Sequence, residues 1–197
     1  MYMKLHEIGI VIAGYTFRGA IKPDNTGDIY VFQAKDLVQG VPCDSVSTLT
    51  KVSHEIPGYS GHLRKNDVLL VSRGMKSGAF RSTTFVSDDP NVVASSSVHV
   101  IRITKPNILP EYVSHYLNSK DGQDALTQII SGSYIGALPR RELEKVDIPI
   151  PPLDKQKLLV DLFRNIRDQQ KILEREKELK ENIINATFKM LLKYEHQ

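Results

Sequence analysis

Residues 131 to 163 read SGSYIGALPRRELEKVDIPIPPLDKQKLLVDLF, and the prolines near the middle of that stretch divide the chain in two. Pro149, Pro151 and Pro152 end the extended segment before them. Proline has no backbone donor and a fixed φ, so it is tolerated at strand ends, in turns and in the first turn of a helix. Beyond the prolines, Leu159, Leu162, Ile166, Gln169, Leu173 and Glu176 recur at alternating steps of three and four. After one extra step of three, Leu179, Ile183, Ala186 and Met190 resume the pattern. This is the spacing of a coiled-coil seam with one stammer and two polar positions. It predicts one long helix within residues 151–197, a rod of roughly 65 Å at 1.5 Å per residue, which is longer than one side of a domain of this size. A partner helix is therefore expected. Leu159, Leu162, Ile166, Leu173, Leu179, Ile183 and Met190 are its expected contacts, with Gln169 and Glu176 setting register.

Outward from that junction, residues 1–150 carry strand signals first and helix signals second, which predicts an α+β, β-rich globular domain. Met1 to Ile21 reads as a short helix or strand ending in GYTFRGAI, whose paired glycines mark a turn able to approach another backbone closely. A turn at Pro23 to Gly27 leads into a strand at Ile29 to Phe32. The clearest hairpin is LRKNDVLLVSRGMKSGAFRSTTFV: a continuous apolar strand at Val68 to Val71, a glycine-punctuated loop from Arg73 to Gly78, and a return from Ala79 to Val86. Val92 to Ile103 reads as one further strand. Pro110 opens a helix through about Ile129, interrupted at Gly122.

Hydrophobic content of 41% and charged content of 25% are those of an ordinary folded domain, which excludes a disordered or fibrous chain. No apolar run approaches the roughly 18 residues needed to cross a bilayer, and the N-terminus lacks a signal-peptide pattern. A single Cys43 fits a reducing cytoplasm and a small, half-buried structural role. Net charge is only +3, so distribution matters more than total. Between Gly61 and Ser87, Arg64, Lys65, Arg73, Lys76 and Arg81 face only Asp67, a local cationic surplus.

Motifs for catalysis are missing. There is no glycine-rich phosphate loop, no GxSxG elbow, and no histidine close to Cys43 in sequence. PIPPL lacks the leading Asn or Asp and the closing aromatic of an amino-methyltransferase motif. His54 and His62 lack the short ligand spacing of a zinc site and read as structural histidines.

The stretch from Ser131 to Phe163 resembles the end of a target recognition domain and the start of the spacer helix in type I restriction-modification specificity subunits. The order is shared: a glycine-led loop, a leucine helix, an IPIPPL-x-x-Q tract and a long helix. KLHEIGIVIAGYTFRGAI and RKNDVLLVSRG are similar to that family's opening and central segments. The resemblance implies a target recognition domain over residues 1–150, a spacer and dimerisation helix over 151–197, and a specificity subunit without chemistry of its own. Its partners would be double-stranded DNA, methyltransferase subunits and, through them, a restriction subunit. S-adenosylmethionine, ATP and magnesium would belong to those partners. Family members usually carry two recognition domains and two helices, whereas this sequence has one of each. That difference implies a half-length form acting as a homodimer on a bipartite, palindromic target.

Two readings stand at this point. In the first, Arg64, Lys65, Arg73, Lys76 and Arg81 touch phosphates and guanine edges, with Ser77 and Gln33 as polar readers and Arg18, Lys22 and Tyr134 as a second set. In the other, the chain is an adaptor that binds protein rather than DNA and oligomerises through its helix.

Overall fold

The computed structural model describes residues 1–53, 59, 61–74, 78–130 and 136–194. It has the α+β architecture and long C-terminal helix that the sequence predicts, and it divides into two compact units, Met1–Lys157 and Leu158–Gln197. The chain runs β1 (Tyr2–Lys4), α1 (Leu5–Ile8), β2 (Gly9–Ala13), β3 (Ile29–Phe32), β4 (Thr50–Val52), β5 (Val68–Val71), β6 (Ser82–Thr84), β7 (Val92–Ala94), β8 (Val98–Ile103), α2 (Pro110–Asn118), α3 (Lys120–Ile130), α4 (Arg140–Leu143), β9 (Asp147–Pro149) and α5 (Leu153–Tyr194).

The apolar run Val68–Val71 is buried at all four positions because β5 lies inside an antiparallel sheet of order β2-β8-β5-β6. A second sheet, β4-β3-β7, pairs β3 with β7 in parallel and with β4 antiparallel. Phe32, Leu69, Phe85 and Val100 fill the core between elements of these two sheets. The expected hairpin is present, with Val68 opposite Thr84 and Leu70 opposite Ser82.

The structure departs from the expected elements in three places. Val92 to Ile103 is two strands in two different sheets, because Ser95 to Ser97 turn the chain between them. Ser95 N donates to the Phe32 carbonyl (2.8 Å), and the Ser97 hydroxyl accepts from Ala34 N (3.0 Å). The helix opened by Pro110 breaks at Ser119 rather than at Gly122. Gly122 instead allows close approach: a Cβ there would stand 2.1 Å from the Tyr116 carbonyl oxygen. The first 21 residues contain strand, helical turn and strand, and β1 pairs with β9, which follows all the short helices. The backbone approach expected of GYTFRGAI is real at Gly14, where a Cβ would lie 2.0 Å from the Ser95 carbonyl oxygen.

Two buried polar groups tie the sheets to their surroundings. Asp67 is 1% exposed and takes Arg102 in a two-pronged ion pair at 2.7 and 2.8 Å, while the same guanidinium donates to the His62 carbonyl at 3.0 Å. Hydrogen bonding to Asp67 raises the Arg102 pKa further. His99, 7% exposed on β8, shares a 2.7 Å hydrogen bond from Nε2 with the Leu138 carbonyl, so that nitrogen carries the proton. Its Nδ1 has no hydrogen-bond partner among the described residues.

Removing one side of the Asp67–Arg102 pair strands a charge, which costs roughly 3 kcal/mol when the partner is buried. Asp67→Ala is expected to lower the urea unfolding free energy by about that amount, while Asp67→Leu with Arg102→Met recovers most of it. A single variant as stable as the parent would contradict this account.

Burial holds the His99 imidazole below its ordinary value near 6.5, opposed in part by the Leu138 carbonyl. The unfolded chain therefore binds this proton more readily than the folded one. Its contribution to stability is complete above the unfolded pKa and is lost as pH falls through the depressed folded pKa. Between pH 7 and 5 the parent should lose stability faster than His99→Gln, by at most about 1.4 kcal/mol per pH unit. Parallel pH profiles in urea unfolding would rule it out.

Candidate nucleic-acid interface

The cationic side chains that cluster in sequence are distributed in space. The tight turn Arg64–Asp67 precedes β5, with Asp67 N bonded to the Arg64 carbonyl (3.0 Å) and the Asp67 carboxylate accepting from Arg64 N (2.8 Å). Arg73 and Arg81 lie beyond the other end of the same strand. Four residues of strand span about 13 Å, so Arg64 and Lys65 stand at one end of the hairpin and Arg73 and Arg81 at the other. Asp67, the one acidic residue among these five cations in sequence, turns inward to Arg102. Lys65 finds Asp88 at 2.8 Å, with both groups largely in solvent.

At the first end, Arg64, Lys65 and Lys105 line a cavity of about 380 Å³ that reaches Leu109 and Pro110 at the start of α2. Arg18 and Lys22 occupy a third place. They line a cavity of about 470 Å³ with Phe17, Val52 and Ser53. Gln33 is engaged internally, donating to the Thr50 hydroxyl at 3.1 Å. Lys76, Ser77 and Tyr134 lie outside the described residues, as does His54.

The loop from Ser72 to Arg81 is the best-rooted of these places. On its outgoing limb Ser72 is buried, and its hydroxyl donates to the Ser96 carbonyl (2.8 Å). Leu138 N donates to the Ser72 carbonyl and Gly74 N to the Gly136 carbonyl, each at 2.8 Å. Arg73 thus sits in a bridge with Ala137, beside the segment that follows the glycine-led stretch of the sequence. Its side chain is exposed and makes no ion pair among the described residues. Arg81 is half-buried, donating to the Ala34 carbonyl at 3.1 Å.

The return limb is held by two side chains that the sequence reading missed. Gln123 Oε1 accepts from Gly78 N (2.9 Å) and Phe80 N (3.3 Å), while its Nε2 donates to the Phe80 carbonyl (2.8 Å). Asn118 brackets Ser82 in the same way, accepting from its N–H and donating to its carbonyl, both at 2.8 Å. Asn118 meets the edge of β6 that faces away from β5, which Gly40 N and Cys43 N also reach at the Ser82 and Thr84 carbonyls (3.1 and 2.8 Å). The available signal was the spacing of Gln123, Leu126 and Ile130, which puts a polar residue on the buried face of α3.

Cys43 is half-buried, and burial, with Asp44 and Asp36 nearby, pushes its thiol up to about 11. A thiol with so high a pKa is a poor nucleophile at neutral pH. Among the described residues, no group of three or more His, Cys, Asp or Glu is placed to hold a metal ion. No helix among them is long and apolar enough to cross a membrane. All seven expected dimer residues, Leu159, Leu162, Ile166, Leu173, Leu179, Ile183 and Met190, are exposed along α5.

The fold is that of solved type I restriction-modification proteins. A chain from work on complex assembly and conformational transition of the type I R-M system matches with a TM-score of 0.61 at 18% identity, over 89% of this chain and 40% of that one. The HsdS subunit from Thermoanaerobacter tengcongensis matches at 0.56 and 20% identity, over 89% and 39%. The S subunit of a type I system from M. genitalium matches at 0.53 and 13% identity, over 87% and 40%. This chain therefore spans about 40% of the length of the solved structures it resembles. No curated protein matches it significantly. The model of the type I restriction modification DNA specificity domain matches residues 1–182, and the chain belongs to that family.

Proposed function

We propose that this chain reads DNA sequence for a type I restriction-modification enzyme. Its globular unit would dock on duplex DNA through the loop from Ser72 to Arg81, and its helix would pair with that of a second copy. The observation that carries the reading is the exposed cation Arg73 on a loop whose two limbs are fixed by buried hydrogen bonds. A rigid root supports specificity because a base-reading side chain must be held within fractions of an ångström. Lys76, Ser77 and Tyr134 belong to the segments flanked by these roots and are included in the proposed face. Arg18 and Lys22 serve as a secondary phosphate contact, and Arg64 and Lys65 as an outlying one.

In this reading the chain performs no bond chemistry. S-adenosylmethionine, ATP and magnesium act in the methyltransferase and restriction subunits that it recruits. A cytoplasmic location follows from the DNA substrate and agrees with the single, protonated thiol of Cys43.

Reversing Arg73 and Lys76 to glutamate should abolish retention on DNA by the assembled methyltransferase, with helix content and mass unchanged. Neutralising the pair with glutamine should lower the slope of log affinity against log salt by about two, one for each lost phosphate contact. Unchanged binding by the glutamate variant would place the interface elsewhere. Retention indifferent to salt in the parent would favour a protein-binding adaptor.

A pair of identical readers related by a two-fold axis mirrors that symmetry in its target. The recognised sequence should therefore be an interrupted palindrome with a fixed unread spacer. Methylation mapping in cells carrying this gene and its methyltransferase tests it. An asymmetric bipartite motif would mean that the chain pairs with a different specificity half.

A further inference from the structure

The segment that follows β2 is laced to the root of the Ser72–Arg81 loop. Tyr15 N donates to the Ala94 carbonyl (2.7 Å), and Ser96 N donates to the Tyr15 carbonyl (2.8 Å). Ser96 in turn receives the Ser72 hydroxyl on its own carbonyl, and Ser72 N donates to the Ser97 carbonyl at 2.9 Å. Three backbone segments therefore lie side by side, with Arg18 just beyond Tyr15 and Arg73 directly after Ser72. The place held by Arg18 and Lys22 is thus continuous with the loop proposed to face DNA.

Beyond Tyr15 the chain crosses the face of the β4-β3-β7 sheet that is turned away from Phe32 and the main core. Val31, Val52 and Val93 are buried there, and Phe17, Ile21 and Tyr59 pack on them half-buried. The Tyr15 ring stands edge-on to Phe17, with centroids 4.8 Å apart, and to Tyr59 at 5.3 Å. Phe17, Ile21 and Val52 make the apolar wall of the cavity of about 470 Å³, and Arg18, Lys22 and Ser53 complete its lining. Both cations are exposed, and neither makes an ion pair among the described residues. Asp24, the acid closest to them in sequence, is instead committed to the Thr26 N–H (2.9 Å) and hydroxyl (2.6 Å).

An aromatic and aliphatic wall with two cations on it, and no acid bonded to either, suits a flat apolar ring that carries anionic groups on both sides. A nucleotide out of its stack is such a ligand, with its base against Phe17 and its flanking phosphates on Arg18 and Lys22. Stacking on an aromatic side chain accepts every base, and phosphate contacts carry no sequence information. A paired base has its faces covered by its neighbours, so it reaches such a wall only after leaving the stack. We propose that this cavity is a second nucleic-acid site of the chain, taking one unstacked nucleobase together with its flanking phosphates. The site rests on the DNA reading above and adds to it a pocket for a base, where that reading has only a surface contact.

Anisotropy titrations of the full chain with three labelled DNAs of one arbitrary sequence test the site: a fully paired duplex, the same duplex with one unpaired thymine, and the single strand. The parent is expected to hold the bulged duplex about tenfold more tightly than the paired one, because its base arrives already unstacked. Phe17→Leu keeps the apolar packing but removes the ring, and should bring the two affinities together while leaving the paired duplex within about twofold of the parent. With 5-iodouracil at the unpaired position, irradiation of the parent should join the DNA to the tryptic peptide Leu5–Arg18, which carries Phe17. Equal affinity of the parent for both duplexes, or a crosslink to other peptides alone, overturns the site. A bulge preference undiminished in Phe17→Leu belongs to the bend of the DNA and overturns it as well. A single strand held as tightly as the bulged duplex, with the same crosslink, supports the site and makes a separated strand its source; a weaker single strand makes an extrahelical base its source. Binding of the paired duplex without preference for the bulge leaves the DNA reading standing, whereas no binding of any of the three at low salt overturns that reading too.

Discussion

The amide of Gln156 is the constraint on which the junction between sheet and helix depends. Fully buried in the first turns of α5, it accepts from Leu109 N (2.9 Å) and donates to the Asn107 carbonyl (3.1 Å) and the Pro151 carbonyl (2.9 Å). Three backbone groups from two distant segments are satisfied by one side chain. Leucine in its place would leave all three without partners, and glutamate would have no donor for the two carbonyls, each orphan costing on the order of 1–3 kcal/mol. Tyr112 extends the same fastening, its hydroxyl donating to the Pro149 carbonyl at 2.6 Å. The proline tract can thus be stiff and free of internal hydrogen bonds and still leave the sheet at a defined point.

The edge of the four-stranded sheet is managed by similar means. β6 has a strand, β5, on one side, and on the other the chain from Gly40 to Cys43 covers part of its edge, with Gly40 N donating to the Ser82 carbonyl (3.1 Å) and Cys43 N to the Thr84 carbonyl (2.8 Å); an edge left open invites pairing with another chain. Asn118 at Ser82, and Gln123 at Gly78 and Phe80 just before the strand, complete that cover with carboxamides, which carry donor and acceptor in the same geometry as a peptide group. An amide cap ends pairing where a strand would propagate it. The same bonds fix the return limb of the loop proposed to face DNA, so protection of the edge and presentation of the loop are one arrangement.

What the sequence made legible follows the range of the interactions. The long helix was readable because its signal repeats over some forty residues, and the hairpin because its strands are neighbours in the chain. The three-stranded sheet was not, since VVASSSVHVIRI reads as one strand until the serines are seen bonding to Ala34 and Phe32, some sixty residues earlier. Nor was the pairing of Tyr2 with Pro149, which leaves no local pattern. The cationic group was legible as composition but not as a surface, because sequence proximity of Arg64 and Arg73 conceals the strand that separates them. The seven apolar heptad residues named for α5 are exposed along the helix.

The pairing of β1 with β9 has a consequence for the order in which the protein is made. Tyr2 to Lys4 leave the ribosome well before their strand partner, which is complete only when Pro149 has emerged, nearly the whole globular unit later. Closure of that ladder, with Ile150 N donating to the Met1 carbonyl (2.8 Å), is therefore a late event in a vectorial synthesis. Helix α5 emerges later still, so the proposed self-association through it would wait for a globular unit that has already had the chance to close.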